Sequence, residues 1–321
     1  MSFPNRPKIL ITWPLNPMRF DSLQDKFQID VLKNIQNRRT EVLEKIEYYD
    51  GMLNMNIVVN EELYSKAKKL KIVANYGVGY DNIDTAAAQK LGIAVSNTPR
   101  STTNPTANHM IGLMLTLMRK ISNHDRRLKS NSLEDWYNSK ELGHSPEGKT
   151  LGIIGMGRIG KAVAKRAKAL EMKVIYFNRN RLLAEIEAES DVSYADLNTL
   201  LSSSDIISIH TPLNDTTRDI ISKKELDMMK PSSYLINTAR GGVINENDLI
   251  THLQSEKIAG AAIDVFENEP NANPAFFELN NVVLTPHSGT GTHEARANMM
   301  NEALGNIIAF LNGEEMTSRI V

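Results

Sequence analysis

Apolar positions along the chain fall into short runs separated by longer amphipathic stretches. In the first third the runs cover residues 9–12, 57–59, 72–74 and 94–96, with charged, helix-like stretches such as 61–71 between them. From Gly148 the alternation is more regular, with runs at 151–154, 173–177, 206–210, 234–237, 261–265 and 282–284. Strands alternating with helices predict an α/β protein. Several runs are apolar at consecutive positions, so both of their faces need cover, which is the pattern of a parallel sheet with helices on each side. Met110, Met114 and Met118 recur at helical spacing and are expected in the core. Residues 123–149 break the rhythm. They are polar and weakly periodic, carry Arg126, Arg127, Trp136 and Tyr137, and are expected to form an arm.

At 321 residues the chain exceeds the usual size of one hydrophobic core, so two domains are expected. Lys and Arg number 37 against 38 Asp and Glu, a formal charge of -1 that argues against nucleic acid as partner. The chain contains no Cys, which removes disulfides, thiolate metal sites and cysteine nucleophiles together and fits a cytoplasmic address. The longest apolar stretch, 110–118, is about half of what a membrane span needs, so no membrane association is expected. The opening MSFPNRPKILIT has no secretory apolar region of sufficient length and reads as a first strand.

The segment GIIGMGRIGKAVA (152–164) sets Gly155, Met156, Gly157, Arg158, Ile159 and Gly160 between a strand and an amphipathic helix. A lone GxGxxG is weak, but in this context each glycine has work to do. The first allows a tight turn, the second lets backbone approach a pyrophosphate, and the third lets helix and strand pack closely. The helix N-terminus adds amide donors and a positive dipole. A dinucleotide cofactor is therefore expected. In NAD-binding folds an acidic residue on the ribose hydroxyl should end the next strand. Here Phe177 is followed by Asn178, Arg179, Asn180 and Arg181, with no carboxylate. Asn178 removes repulsion against a 2′-phosphate, and Arg179 or Arg181 could clamp it, so NADP is favoured, with NAD possible. The plainer reading of both arginines is solvated surface charge.

Ligands of open α/β sheets gather at the carboxyl ends of strands. Arg240, Asp264, Glu269 and His287 all follow expected strands. Their chemistry is coherent for hydride exchange with a 2-oxo acid. Arg240 offers permanently charged planar donors to a carboxylate and a carbonyl oxygen. His287 can give and take the proton of the alkoxide. Glu269, bonded to the imidazole, would stabilise its cation. Singly, each has a plain alternative: a loop histidine, a turn residue before Pro270, an arginine paired with a carboxylate. Their conjunction favours catalysis. The other histidines show no repeated metal-ligand spacing, and no metal is assigned.

These segments resemble the D-isomer-specific 2-hydroxyacid dehydrogenase family over nearly the whole chain. The resemblance rests on NYGVGYDNID (75–84), the glycine segment, HTPLNDTTRDII (210–221), MKPSSYLINTARGGVINENDL (229–249), AAIDVFENEP (261–270) and LTPHSG (284–289). It implies Arg240, Glu269 and His287 as the catalytic trio and Asp264 as the anchor of the nicotinamide carboxamide. Further cofactor contacts are implied at Thr106, His210, Thr211, Pro212, Thr238, Ala239, His287 and Gly289. The amides of Val78 and Gly79 would bind the substrate carboxylate, with Met52, Leu53, Tyr76 and Val78 selecting the side chain and Arg240 and His287 completing the substrate contacts.

The family architecture implies two doubly wound parallel-sheet domains, with a Rossmann-type nucleotide domain (100–287) inserted into a flavodoxin-like substrate domain (1–99 and 288–321) and a cleft between them. Such enzymes generally form homodimers, and Trp136 resembles an arm Trp that reaches the neighbouring subunit's active site. The family more often has an acid where this chain has Asn108. Within the family, FNRNR resembles NADP-using glyoxylate/hydroxypyruvate reductases. The alternatives are an NAD-dependent dehydrogenase of D-lactate, bulkier acids or phosphoglycerate and, in another class, a dinucleotide-sensing binding protein like the family's corepressor relatives. Formate dehydrogenases have Gln where this chain has Glu269, which counts against that activity.

Overall fold

The computed structural model describes residues 6–14, 23–33, 36–133 and 135–321. The chain divides into two compact units, Met1–Thr102 with Thr292–Val321, and Thr103–Gly291.

The first unit carries β1 (Lys8–Ile11), β2 (Gln28–Val31), α1 (Arg38–Lys45), β3 (Gly51–Asn54), α2 (Glu61–Lys66), β4 (Ile72–Asn75), α3 (Thr85–Lys90) and β5 (Ala94–Ser96). Helix α4 (Pro99–Met118) contains the boundary between units, and α11 (His293–Leu311) returns the chain to the first unit. Its five strands are parallel in the order β2-β1-β3-β4-β5, so the order reverses between β1 and β3. Side-chain caps set the helix starts: Asn60 accepts from Leu63 N, Asp84 from Ala87 N and Thr292 from Ala295 N. One face of the sheet packs Leu10, Met52 and Val73 under α1 to α3, and the other packs Ile9, Leu53 and Ile72 against Met299, Ala303 and Ile307 of α11.

Residues 57–59 do not form the expected strand. Only an isolated bridge, Val59 to Ile83, occurs there, and the strand is β3. Within β3, a Cβ at Gly51 would lie 2.8 Å from Ile307 Cγ2. The glycine is there because α11 crosses the strand closely.

The second unit holds α5 (Ile121–Lys129), β6 (Thr150–Ile154), α6 (Arg158–Ala169), β7 (Lys173–Phe177), α7 (Ala184–Ser190), β8 (Ser193–Tyr194), α8 (Leu197–Ser203), β9 (Ile206–Ile209), α9 (Lys223–Leu226), β10 (Tyr234–Asn237), α10 (Glu246–Gln254), β11 (Gly260–Ile263) and β12 (Val282–Leu284). All seven strands are parallel, in the order β12-β11-β10-β9-β6-β7-β8. The reversal between β6 and β9 opens the crevice position where such sheets take ligands. Met110, Met114 and Met118 are buried with Val163, Ala164 and Ala167 of α6, as their spacing predicts. The far face buries Leu200, Leu226, Leu249 and Phe276. Among the described residues no helix is long and apolar enough to cross a membrane.

Candidate active site

The glycine turn occupies the reversal point of the second sheet. Gly155 has φ +100°, and a Cβ on it would lie 2.8 Å from the backbone carbonyl of His210, so only glycine permits this approach of the β6 turn to the end of β9. A Cβ on Gly160 would lie 2.4 Å from the Gly155 carbonyl oxygen. Gly157 is different: its Cβ would meet nothing within 4 Å, and no side chain caps α6. The turn therefore leaves an open cradle above helical amides. Beside it, the hydroxyls of Thr211 and Thr238 are buried without a hydrogen-bond partner. Buried hydroxyls seek partners, and these two suit the polar edge of a dinucleotide. The residues present thus fit such a cofactor. Burial pushes the His210 imidazole down to about 4, so the ring is neutral, and its Nε2 lies 2.8 Å from Ser208 Oγ. Pro212 is exposed and Ala239 half-buried on the turns that follow β9 and β10.

Asn178 has a job the sequence reading did not foresee. Its Oδ1 accepts from Met156 N at 2.7 Å and ties the end of β7 to the glycine turn. Arg181 departs from expectation. Its Nε and Nη2 fork onto Glu187, both at 2.8 Å, and Glu187 also accepts from the buried Tyr176 hydroxyl. The guanidinium and the phenol hold the Glu187 carboxyl down to about 2. Of the two arginines expected near a 2′-phosphate, Arg181 is thus forked onto Glu187, while Arg179 is exposed on the turn and Arg158 begins α6.

Past β11, Asp264 is fully buried and heavily bonded. Its Oδ1 accepts from Thr285 Oγ1 at 2.6 Å, Ser288 N at 2.8 Å and His109 Nε2 at 3.2 Å, while Oδ2 accepts from Gly289 N at 2.9 Å. Burial pushes this carboxyl up, but the bonds from His109, Thr285 and Ser288 outweigh it and hold Asp264 below its usual range. It is a buried anion with one oxygen saturated and the other singly bonded. Thr106 is buried nearby, with its methyl 3.5 Å from where a Gly289 Cβ would lie. His109 escaped the sequence reading; the signal that could have found it is its place three residues after Thr106 on the same helix face. Asn108 accepts from Arg166 Nε at 2.7 Å, a structural bond between α4 and α6.

His287 sits at the end of β12 with φ +50°, held by its own amide on the Asp264 and Thr285 carbonyls at 2.7 and 3.1 Å. Left-handed backbone at a non-glycine residue is strained and tends to mark functional positions. Its Nδ1 lies 2.8 Å from Glu269 Oε2, and Glu269 Oε1 accepts from Phe266 N at 3.2 Å. With Nδ1 engaged by a carboxylate, Nε2 is the atom left for chemistry. Arg240 follows β10 on a turn secured by Asn237, whose Nδ2 donates to the Arg240 carbonyl at 2.9 Å and whose Oδ1 accepts from Ala239 N at 3.0 Å. Its Nη1 donates to the Ala239 carbonyl at 2.8 Å. A Cβ on Gly241 would lie 2.1 Å from the Phe266 carbonyl, so the Arg240 turn abuts the segment leading to Glu269. Glu269 and His287 are thus joined directly, and Asp264 and Arg240 are joined to them through backbone.

In the first unit, Asn75 Nδ2 donates to the Gly79 carbonyl at 2.6 Å, Asn97 Nδ2 to the Val78 carbonyl at 2.8 Å and Thr98 N to the Gly77 carbonyl at 3.1 Å. In a planar trans peptide the N–H points opposite its carbonyl, so the amides of Val78 and Gly79 are turned away from these side chains. Tyr76 is buried and donates its hydroxyl to the Arg296 carbonyl at 2.8 Å. Met52 and Leu53, expected against substrate, are fully buried on the two faces of β3. Helices pack against both faces, and both side chains sit within the core clusters.

The D-isomer specific 2-hydroxyacid dehydrogenase, NAD binding domain family model matches residues 111–289, more than half of the chain. The chain belongs to that family. It is 44% identical to the glyoxylate reductase of Thermococcus litoralis, over 96% of this chain and 95% of that protein. A glyoxylate reductase structure from Paecilomyes thermophila is 33% identical with TM-score 0.88 and 98% of each chain covered. The NADPH-dependent glyoxylate/hydroxypyruvate reductase of Sinorhizobium meliloti, solved with NADP and malonate, is 29% identical with TM-score 0.87, covering 99% of this chain and 97% of that one. As a D-isomer specific 2-hydroxyacid dehydrogenase homologue, the chain is a nicotinamide-dependent oxidoreductase.

Proposed function

We propose that this protein is a homodimeric reductase of glyoxylate, hydroxypyruvate and similar small 2-oxo acids, with NADPH as its preferred hydride donor. The observation that carries the reading is the 2.8 Å contact of His287 Nδ1 with Glu269 Oε2, on a histidine held in left-handed backbone. Relatives that reduce glyoxylate support the substrate class, and the absence of an acid after β7 supports the cofactor preference. The exposed arm residues Trp136 and Tyr137, 63% and 94% accessible, support a subunit interface there.

The Gly155–Gly160 turn and the amides of α6 would hold the pyrophosphate, Arg179 the 2′-phosphate, Thr211 and Thr238 the polar edge of the dinucleotide, and Asp264 the carboxamide. When bound, the reduced cofactor supplies a hydride to C2 of the oxo acid. Arg240 binds the carboxylate and polarises the C2 carbonyl. His287 Nε2 gives its proton to the carbonyl oxygen as negative charge develops there, and Glu269 steadies the imidazolium before and the tautomer after that transfer. In the reverse direction the neutral imidazole accepts the hydroxyl proton. The amides of Val78 and Gly79 are a second candidate for carboxylate binding.

Initial rates on glyoxylate and hydroxypyruvate with NADPH or NADH test the reading. His287→Ala should cost on the order of 10²–10⁴ in kcat while NADPH binding, followed by fluorescence, stays within about twofold. Turnover of the variant within tenfold of the parent, or no reduction of either acid by the parent, would sink it.

A further inference from the structure

Glu246, at the first turn of α10, lies outside the trio but is bonded to its support. Its Oε1 accepts from Glu267 N at 2.7 Å. The preceding amide, Phe266 N, donates to Glu269 Oε1 at 3.2 Å. Two consecutive amides are therefore claimed by two carboxylates, one fixed on a helix and the other proposed to orient the acid–base histidine. Helix α10 is a firm base: Asn245 caps it by accepting from Asp248 N at 3.1 Å, and Leu249 and Leu253 are buried in the core. The Gly241 backbone also packs closely on the 266–267 peptide, where a Cβ would come within 2.1 Å of the Phe266 carbonyl and 2.4 Å of Glu267 N. Glu246, Gly241 and Gly242 also line one small cavity with Phe276.

From this geometry we infer that Glu246 is a positioning residue for catalysis, which fixes the 266–267 peptide so that Glu269 keeps one oxygen on Phe266 N and presents the other to His287 Nδ1. The inference rests on the proposed roles of Glu269 and His287. Burial pushes the Glu246 carboxyl up, and Glu267 adds a like charge beside it. A half-buried acid held next to another acid contributes little to stability, whereas an acceptor aimed at one loop amide is useful for setting a neighbour's orientation. Losing that acceptor frees the peptide to rotate and Glu269 to leave the imidazole. The immediate consequence is an imidazole whose ring orientation and tautomer are no longer fixed by its carboxylate partner.

Three proteins separate the possibilities: the parent, Glu246→Ala and Glu246→Gln. The amide oxygen of Gln can still accept from Glu267 N. Glu246→Ala should lower kcat for glyoxylate reduction about tenfold while leaving the KM for glyoxylate and NADPH binding within about twofold. Glu246→Gln should recover most of the loss at a melting temperature close to that of the parent. A kcat within about twofold of the parent in the alanine variant, a KM that rises as kcat falls, or equal loss in both variants would overturn the positioning role. If His287→Ala retains turnover, the catalytic reading itself has failed; a dead His287→Ala beside an unaffected Glu246→Ala overturns the positioning role alone.

Discussion

His210 makes the protein sensitive to mild acid in a way that can be calculated. Burial pushes its imidazole from 6.5 to about 4. Above pH 6.5 folded and unfolded chains both carry it neutral, and its contribution to stability is fully present. As pH falls from 6.5 towards 4 the unfolded chain takes up a proton that the folded one refuses, so stability is progressively lost across that window. A shift of this size corresponds to about 3 kcal/mol at most, since one pKa unit is about 1.4 kcal/mol. The residue keeps a partly exposed edge, so screening reduces the effect to about 2 kcal/mol. At roughly 2–4 °C per kcal/mol, that is about 4–8 °C in melting temperature. His210→Gln removes the titration while retaining an amide that can meet Ser208 Oγ. Thermal unfolding of parent and variant without cofactor, at pH 7.5, 6, 5 and 4.5, isolates the residue, because every other titrating group cancels in the difference. The gap should move in favour of the variant as pH drops. Parallel melting curves at all four values would refute the argument and require a histidine that charges within the fold.

Gly157→Ala places a methyl group in the open cradle of the glycine turn, so melting temperature should hold within about 1 °C while the NADPH dissociation constant rises about tenfold; unchanged binding would remove the cradle from the cofactor site. The two arginines after β7 should part company: Arg179→Gln should weaken NADPH about tenfold and NADH little, as expected for one charge-assisted contact, whereas Arg181→Gln should leave both affinities nearly unchanged because that guanidinium serves Glu187. Reversed effects in fluorescence titrations would show that the fork opens when cofactor binds.

The parallel α/β plan was legible because its strands are apolar at consecutive positions and because Gly155, Gly157 and Gly160 announce a strand–turn–helix. Glu269 and His287 were legible as residues at strand ends. Less readable were positions whose meaning depends on distant neighbours. The strand expected at 57–59 is β3 at 51–54, whose Gly51 packs under Ile307, more than two hundred residues away. The burial of Met52 and Leu53 on the two faces of β3 was not readable, because no strand was expected there. Arg181 read as a phosphate ligand because charge in a turn says nothing of its partner, and Glu187 lies on the next helix. Asn178 read as a missing acid, when its oxygen is the brace for Met156 N. Tertiary partners decide polar side chains far more than local pattern does.

The left-handed backbone at His287 also limits the paths by which this site could change. With φ at +50°, the position admits glycine and asparagine readily and penalises β-branched residues by about 1–2 kcal/mol or more. A descendant that gives up the proposed proton transfer while keeping the fold is therefore steered towards Gly or Asn here, replacements that erase the proposed acid–base group without disturbing the Asp264 and Thr285 carbonyls that grip this amide. Loss of catalysis is a short mutational step in this architecture, and exchange of the histidine for a threonine or valine is a long one.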